Sequence, residues 1–122
     1  MTWVRDFLRS FVDAGRGCAT LFKQERNAWV HLAAAVLVVS AGAVFRIERW
    51  EWCVVLLSIA LVVAAEAMNT AIETLLDRLH PERHPEVGAA KDLAAGGVLL
   101  AAAGAAVVGA IIFGPRIVAM FP

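Results

Sequence analysis

The chain carries little charge, and it lacks the common nucleotide-binding loops. Its 122 residues include 11 Lys and Arg and 11 Asp and Glu, so the formal net charge is zero. Proteins that bind nucleic acid usually carry a basic excess to meet the phosphates, and the balance found here argues against that class. No segment matches G-x-x-x-x-G-K-[ST], and no glycine-rich loop of the protein-kinase type occurs, which excludes both of those phosphate-binding arrangements.

Apolar residues dominate the composition. They make up 61% of the sequence, and the mean hydropathy is +0.73. A soluble domain of this size is closer to half apolar, so the composition predicts an integral membrane protein. Residues 28–45 and 93–114 are uncharged and long enough to cross a hydrocarbon core of roughly 30 Å. The run 52–65 alone would also suit a buried or re-entrant segment, but extended to 50–69 it becomes a span with Glu66 inside its far boundary.

Basic residues are unevenly distributed around these spans. Eight of them lie before the first span or between the second and the third, and three lie on the other side. Because Lys and Arg are enriched on the cytoplasmic side of membrane proteins, the N-terminus and the second loop are predicted to be cytoplasmic. Cys18 and Cys53 then fall on opposite sides of the membrane, so no disulfide is expected.

The remaining segments complete a single predicted domain over residues 1–122. Residues 2–24 are predicted to form an amphipathic helix on the cytoplasmic surface, with a break or bend at Gly15 and Gly17. Its apolar residues recur at helical spacing: Trp3, Phe7, Leu8 and Phe11. Residues 80–92 contain prolines and a glycine and are predicted to form an irregular connector. The third span carries small residues at every fourth position, which favours close helix packing, although small residues are frequent throughout this span: Gly97, Ala101, Ala105 and Gly109.

A stripe of polar side chains begins where the second span should end. In a helix each residue turns about 100°, so Glu66, Asn69, Glu73 and Asp77 fall within about 80° of one another. For Glu73 and Asp77 taken alone, the solvated end of a cytoplasmic helix is the simpler interpretation. Glu66 follows fourteen uncharged residues, and a carboxylate within a span costs about 3 kcal/mol and usually marks function. Taken together, the stripe predicts a functional site.

Other polar residues are predicted to lie at the same membrane level. Glu25 precedes the first span. Together with a carboxylate from an adjacent helix, it would suit Mg²⁺. The alternative is that Glu25 is an ordinary residue of the membrane interface. His31 is interpreted as a packed, hydrogen-bonded histidine. Lys91 and Asp92 are predicted to begin the helix of the third span, where a lysine and the positive end of the helix dipole favour a phosphate.

Three segments resemble the prokaryotic diacylglycerol kinase family, which includes the undecaprenol kinases: ERNAWVH at 25–31, EAMNTAIETLLD at 66–77 and HPEVGAAKDLAAGGVLLAA at 84–102. The resemblance extends from Ser10 to Pro115 with matching spacing. It implies an all-α integral membrane homotrimer in the bacterial inner membrane, with a surface helix and three transmembrane helices in each subunit. It also implies transfer of the ATP γ-phosphoryl group, with Mg²⁺, to a membrane lipid alcohol at the cytoplasmic interface.

The resemblance also implies roles for individual residues. Glu66 matches the catalytic base, and Glu25 and Glu73 match metal ligands that also contact ATP. Asn69 and Asp77 match polar residues of the same site. Further ATP contacts are matched by five residues near the second loop: Glu82, Arg83, His84, Lys91 and Asp92.

The chain departs from the family pattern in the surface helix. Asp6 and Asp13 stand where relatives have basic or aromatic residues, which puts nucleotide contacts from this helix in doubt and leaves Arg9 as the candidate there.

Undecaprenol is the expected acceptor, because the segment at 84–100 resembles the undecaprenol-type members more than the diacylglycerol-type members, with diacylglycerol as the alternative. A small ion or proton carrier would also use intramembrane carboxylates, but the acids cluster at one interface and no charged relay crosses the bilayer. A non-catalytic membrane subunit that uses the small-residue stripe is the third possibility.

Overall fold

The computed structural model describes residues 2–82 and 84–121, and only the backbone of Thr2. The described chain forms four α-helices: α1 Thr2–Gln24, α2 Arg26–Phe45, α3 Arg49–Leu79 and α4 Pro85–Val118. The last three are each long and apolar enough to cross a membrane. Hydrocarbon offers no partners for backbone N–H and C=O groups, and a helix satisfies nearly all of them internally. The predicted all-α class and the three apolar helices are therefore confirmed.

The helices extend well beyond the predicted spans. The 31 residues of α3 measure roughly 46 Å at 1.5 Å per residue, against a hydrocarbon core of roughly 30 Å. Its last ten residues therefore continue the same rod past the predicted end of the span at Asn69. The polar stripe consequently lies on one rigid element.

Three local predictions are wrong. The irregular connector predicted over 80–92 ends at His84, because Pro85 occupies the first helical turn, where its missing N–H is not needed. Lys91 therefore lies about two turns inside α4 and does not begin it. The helix α1 passes through Gly15 and Gly17 without interruption, so no break occurs there.

The α2, α3 and α4 helices run alternately up and down, and α3 packs most extensively against α4. We call the end that holds the α1–α2 junction and the α3–α4 loop the proximal end. The distal end holds the α2–α3 connection and the end of α4. Most large apolar side chains on these helices remain exposed, among them Leu37, Leu57 and Leu100. Such a surface suits contact with lipid or with another subunit.

A small core and an ionic cluster hold the distal end together. The core consists of Ile47, Val55, Ile112 and Phe113, with additional partly buried residues packed against it. Beside it, the Arg116 guanidinium donates to both carboxylate oxygens of Glu51, with N–O distances of 2.9 and 2.7 Å.

Glu51 also belongs to the N-terminal cap of α3. The backbone N–H of Glu48 donates to Glu51 Oε2 at 2.8 Å, and the Glu48 side chain accepts in return from the backbone of Glu51. Glu51 is only 6% exposed, and both of its carboxylate oxygens accept hydrogen bonds from protein donors. One carboxylate thus ties the α2–α3 connection and the start of α3 to the end of α4.

Gly42 allows α2 to approach the start of α3. A Cβ atom added to this glycine would lie 2.8 Å from Cη2 of Trp52 and 3.1 Å from Cδ1 of Ile47. We predict that Gly42→Ala lowers the free energy of unfolding by about 1–3 kcal/mol, because the added methyl group overpacks this contact. Reversible unfolding in mixed micelles measures the change.

Gly15→Ala is the matched control. A Cβ atom at Gly15 meets nothing within 4 Å, so alanine should be neutral or should stabilise α1 by up to about 1 kcal/mol. If Gly42→Ala were as stable as the wild-type chain, the close approach of α2 to Trp52 would be contradicted.

Candidate active site

The α3 helix places the polar stripe along one face, with burial that falls toward the proximal end. Glu66 is only 3% exposed and Thr70 is 6% exposed. Asn69 is half-buried, whereas Glu73 and Asp77 are exposed. The Thr70 hydroxyl donates to the carbonyl oxygen of Glu66 at 2.9 Å, so it stays within the helix. The stripe therefore runs from a buried carboxylate to carboxylates that face solvent.

Grooves flank the stripe on both sides. The groove between α1 and α3 is lined by Thr20, Gln24, Thr70, Thr74 and Arg78 among other residues. The groove between α3 and α4 is apolar apart from Asn69, and its walls include Leu93 and Gly97. Asn69 and Thr70, about one turn beyond Glu66, thus line these two grooves.

Glu25 occupies the junction between α1 and α2. Its backbone is extended (φ −109°, ψ 114°) and interrupts the two helices, and its half-buried side chain makes no capping hydrogen bond. Trp29 braces this junction, because its indole Nε1 donates to the Phe22 carbonyl at 2.8 Å and its ring lies edge-on to the Phe22 ring. The junction therefore leaves the Glu25 carboxylate available for a ligand.

Glu25 lies just before α2, and Glu73 lies on the exposed part of the stripe on α3. Gln24 and Thr74, which are their immediate neighbours in sequence, line the same groove between α1 and α3. Among residues 2–82 and 84–121, no group of three or more Asp, Glu, His and Cys side chains is arranged to hold a metal ion.

A second polar region lies at the proximal end, beneath the α3–α4 loop. Asp77 accepts a hydrogen bond from the Lys91 ammonium, and the two side chains form an ion pair between α3 and α4. A cavity beside this pair is also lined by His80, Glu82 and His84.

The other predicted nucleotide contacts are only partly brought to this region. His84 caps α4, since its Nδ1 accepts from the backbone N–H of Glu86 at 3.3 Å. Asp92 is exposed, and Arg83 lies outside the described residues. Arg9 is exposed on α1, about four turns before Gln24. His31 is half-buried and lines an apolar cleft between α2, α3 and α4.

Sequence reasoning missed two parts of this region. Thr70 was not singled out, although its place one turn after Glu66 is a signal for a backbone-bonded hydroxyl. The contact of Trp29 with Phe22 across the α1–α2 junction was also missed. The sequence signal for it is a pair of aromatic residues on either side of a helix break.

The sequence profile of the prokaryotic diacylglycerol kinase family matches residues 13–113. The chain belongs to this family. It is 39% identical over 111 residues to the undecaprenol kinase of Bacillus subtilis (strain 168), a match that covers 91% of this chain and 90% of that protein. This family member is therefore a lipid kinase with three helices suited to crossing a membrane.

Two diacylglycerol kinases are also similar to this chain. The protein from Synechocystis sp. is 34% identical over 116 residues, which cover 94% of this chain and 66% of that protein. The Escherichia coli (strain K12) protein is 31% identical over 87 residues, which cover 66% of this chain and 71% of that protein. The resemblance found in the sequence is thereby confirmed.

The Trp29 hydrogen bond generates a prediction for the junction that holds Glu25. Trp29→Phe keeps an aromatic ring but removes the indole N–H, at a net cost of about 1 kcal/mol. We expect faster amide hydrogen exchange over residues 22–29 of the kinase in lipid bilayers, measured by mass spectrometry.

Trp50→Phe is the matched control, because Trp50 Nε1 donates to Glu48 at 2.9 Å at the distal end. It should leave exchange over residues 22–29 unchanged. Wild-type exchange in Trp29→Phe would show that the indole does not brace the junction.

Proposed function

We propose that this kinase transfers the γ-phosphoryl group of ATP to undecaprenol, at the cytoplasmic surface of the bacterial inner membrane and with Mg²⁺. The burial gradient along α3 carries the proposal, because one helix offers a buried carboxylate to a membrane-held hydroxyl and exposed polar groups to a soluble nucleotide. The 39% identity to a protein named undecaprenol kinase, over nearly the full length of both chains, supports this acceptor. Diacylglycerol is the alternative, since other relatives are named diacylglycerol kinase.

Glu66 is the proposed general base. Its carboxylate accepts the proton of the lipid hydroxyl while the hydroxyl oxygen attacks the γ-phosphorus. The bond between the γ-phosphorus and the β–γ bridging oxygen breaks, and ADP leaves with that electron pair. Asn69 lies one turn along the stripe and is proposed to orient the reacting groups.

Glu25 and Glu73 are the proposed Mg²⁺ ligands. They fit this ion chemically, because Mg²⁺ takes one or two protein carboxylates and completes its coordination with phosphate oxygens and water. The Glu25 side chain makes no capping hydrogen bond and Glu73 is exposed, and both observations support the assignment. When bound, Mg²⁺ neutralises charge on the ATP phosphates.

The nucleotide is proposed to lie at the proximal end. Lys91 supplies positive charge to its phosphates, and the family resemblance adds contacts from Glu82, Arg83, His84 and Asp92. Arg9 is retained as a further contact from the surface helix.

We also propose a homotrimer with the N-terminus in the cytoplasm and α1 lying on the membrane surface as an amphipathic helix. The small-residue stripe of α4 supports the assembly, because a Cβ atom added at Gly97 or Gly109 would meet nothing within 4 Å in the single chain. Small residues at this spacing let the backbone of another helix approach closely. The basic residues at the proximal end support the orientation.

An ion or proton carrier would not phosphorylate a lipid at the expense of ATP, so a lipid phosphorylation assay distinguishes the two functions. We expect the purified protein to consume ATP only when a lipid alcohol is added, and to prefer undecaprenol when undecaprenol and diacylglycerol are offered together with Mg²⁺. The phosphorylated lipids are separated and counted from labelled ATP. A preference for diacylglycerol would overturn the acceptor assignment, and ATP hydrolysis without lipid phosphorylation would overturn the lipid kinase activity.

Glu66→Gln is the sharpest test of the proposed chemistry. The amide keeps the size of the side chain but cannot accept the hydroxyl proton, so turnover should fall by about 10²- to 10⁴-fold. MgATP affinity, measured by equilibrium binding on the same preparation, should persist.

Glu73→Gln is the contrasting variant, because it removes a proposed metal ligand and should weaken MgATP binding itself. If Glu66→Gln lost nucleotide binding together with turnover, its carboxylate would belong to the metal site. If its turnover stayed near the wild-type value, Glu66 would not be the base.

A further inference from the structure

The ion pair between Asp77 and Lys91 closes the base of the α3–α4 loop. Its partners are fourteen residues apart, with Asp77 in the last turns of α3 and Lys91 two turns inside α4. The Lys91 side chain is 30% exposed and the Asp77 side chain is 60% exposed. Most of the Lys91 side chain is therefore packed against the protein, whereas the Asp77 side chain remains largely exposed to solvent.

Both residues line the cavity beneath the loop. Among the described residues that line this cavity, Lys91 is the only one with a formal positive charge, whereas Asp77 and Glu82 are acidic. Attraction of an anionic group into the cavity therefore depends on where the Lys91 ammonium is held. A lysine without a partner samples many rotamers of its four-carbon stem, and fixing it during binding costs affinity.

We propose that Asp77 is a positioning residue, which holds the Lys91 ammonium at this cavity for a nucleotide phosphate. An ammonium has three donors, so the bond to Asp77 leaves two for phosphate oxygens. The pair joins α3 to α4, and these two helices pack more extensively against each other than any other described pair. The inference rests on the proposed function, because the phosphate contact of Lys91 is part of that function.

The direction in which KM for MgATP changes in Asp77→Asn distinguishes a positioning role from competition with phosphate and from a purely structural ion pair. Asp77→Asn keeps the size of the side chain but removes the charge that orders Lys91. We expect KM for MgATP to rise about two- to ten-fold, the effect of leaving one rotamer-rich side chain to be ordered on binding. The kcat value and KM for undecaprenol should stay near wild type, and equilibrium MgATP binding should weaken to the same degree as KM rises.

Two further variants make the result specific. Asp77→Glu keeps a carboxylate that can reach the ammonium, so it should restore part of the lost MgATP affinity. Glu86→Gln removes a negative charge from the first turn of α4 without lining the cavity, and it should leave KM for MgATP unchanged.

Each contrary outcome has a distinct meaning. A lower KM in Asp77→Asn would show that Asp77 competes with phosphate for Lys91, and this would overturn the proposal. An unchanged KM, with or without a lower unfolding temperature, would show a purely structural ion pair and would also overturn it. Absence of MgATP binding and lipid phosphorylation in the wild-type protein would instead remove the proposed function and this inference together.

Discussion

The antiparallel pair of α3 and α4 is held by an ion pair at each end, and the rest of the structure depends on this frame. At the distal end Arg116 and Glu51 form a bidentate pair, and at the proximal end Lys91 pairs with Asp77. The distal pair is costly to break, since removal of one partner leaves the other charge poorly solvated. By comparison, α1 and α2 have smaller contacts with this frame.

The length of α3 lets one helix carry both an apolar part and the polar stripe. Because α3 is a single helix longer than the hydrocarbon core is thick, its apolar part and its polar stripe cannot move independently. Glu66 and Asp77 lie roughly 16 Å apart along the axis, the rise of eleven residues. We propose that this one helix positions a lipid hydroxyl at its buried end and a nucleotide at its exposed end, and that the α1–α2 junction adds Glu25.

The length of the apolar runs predicted the three apolar helices. Helical geometry predicted the common face of Glu66, Asn69, Glu73 and Asp77. The predicted start of α4 at Lys91 was wrong, since Pro85 also suits an irregular connector and only the cap by His84 decides between the two.

The Glu51–Arg116 pair was beyond prediction for a different reason. Its partners are 65 residues apart, and no local pattern links them. The Lys91–Asp77 pair was missed because it follows from the register between α3 and α4, which the sequence pattern of neither helix determines. Site residues on one helix could thus be grouped from the sequence, whereas contacts between helices required the structure.

The central claim is that the membrane boundary crosses α3 along the polar stripe. Accessibility of spin labels to oxygen and to a water-soluble nickel chelate tests it directly, with labels at the exposed positions Leu57, Met68 and Leu79 in a chain whose exposed Cys18 and Cys53 are replaced. The account predicts oxygen access at 57, chelate access at 79 and the crossover near 68. Chelate access at 57, or a label at 79 that lies within the hydrocarbon, would contradict it.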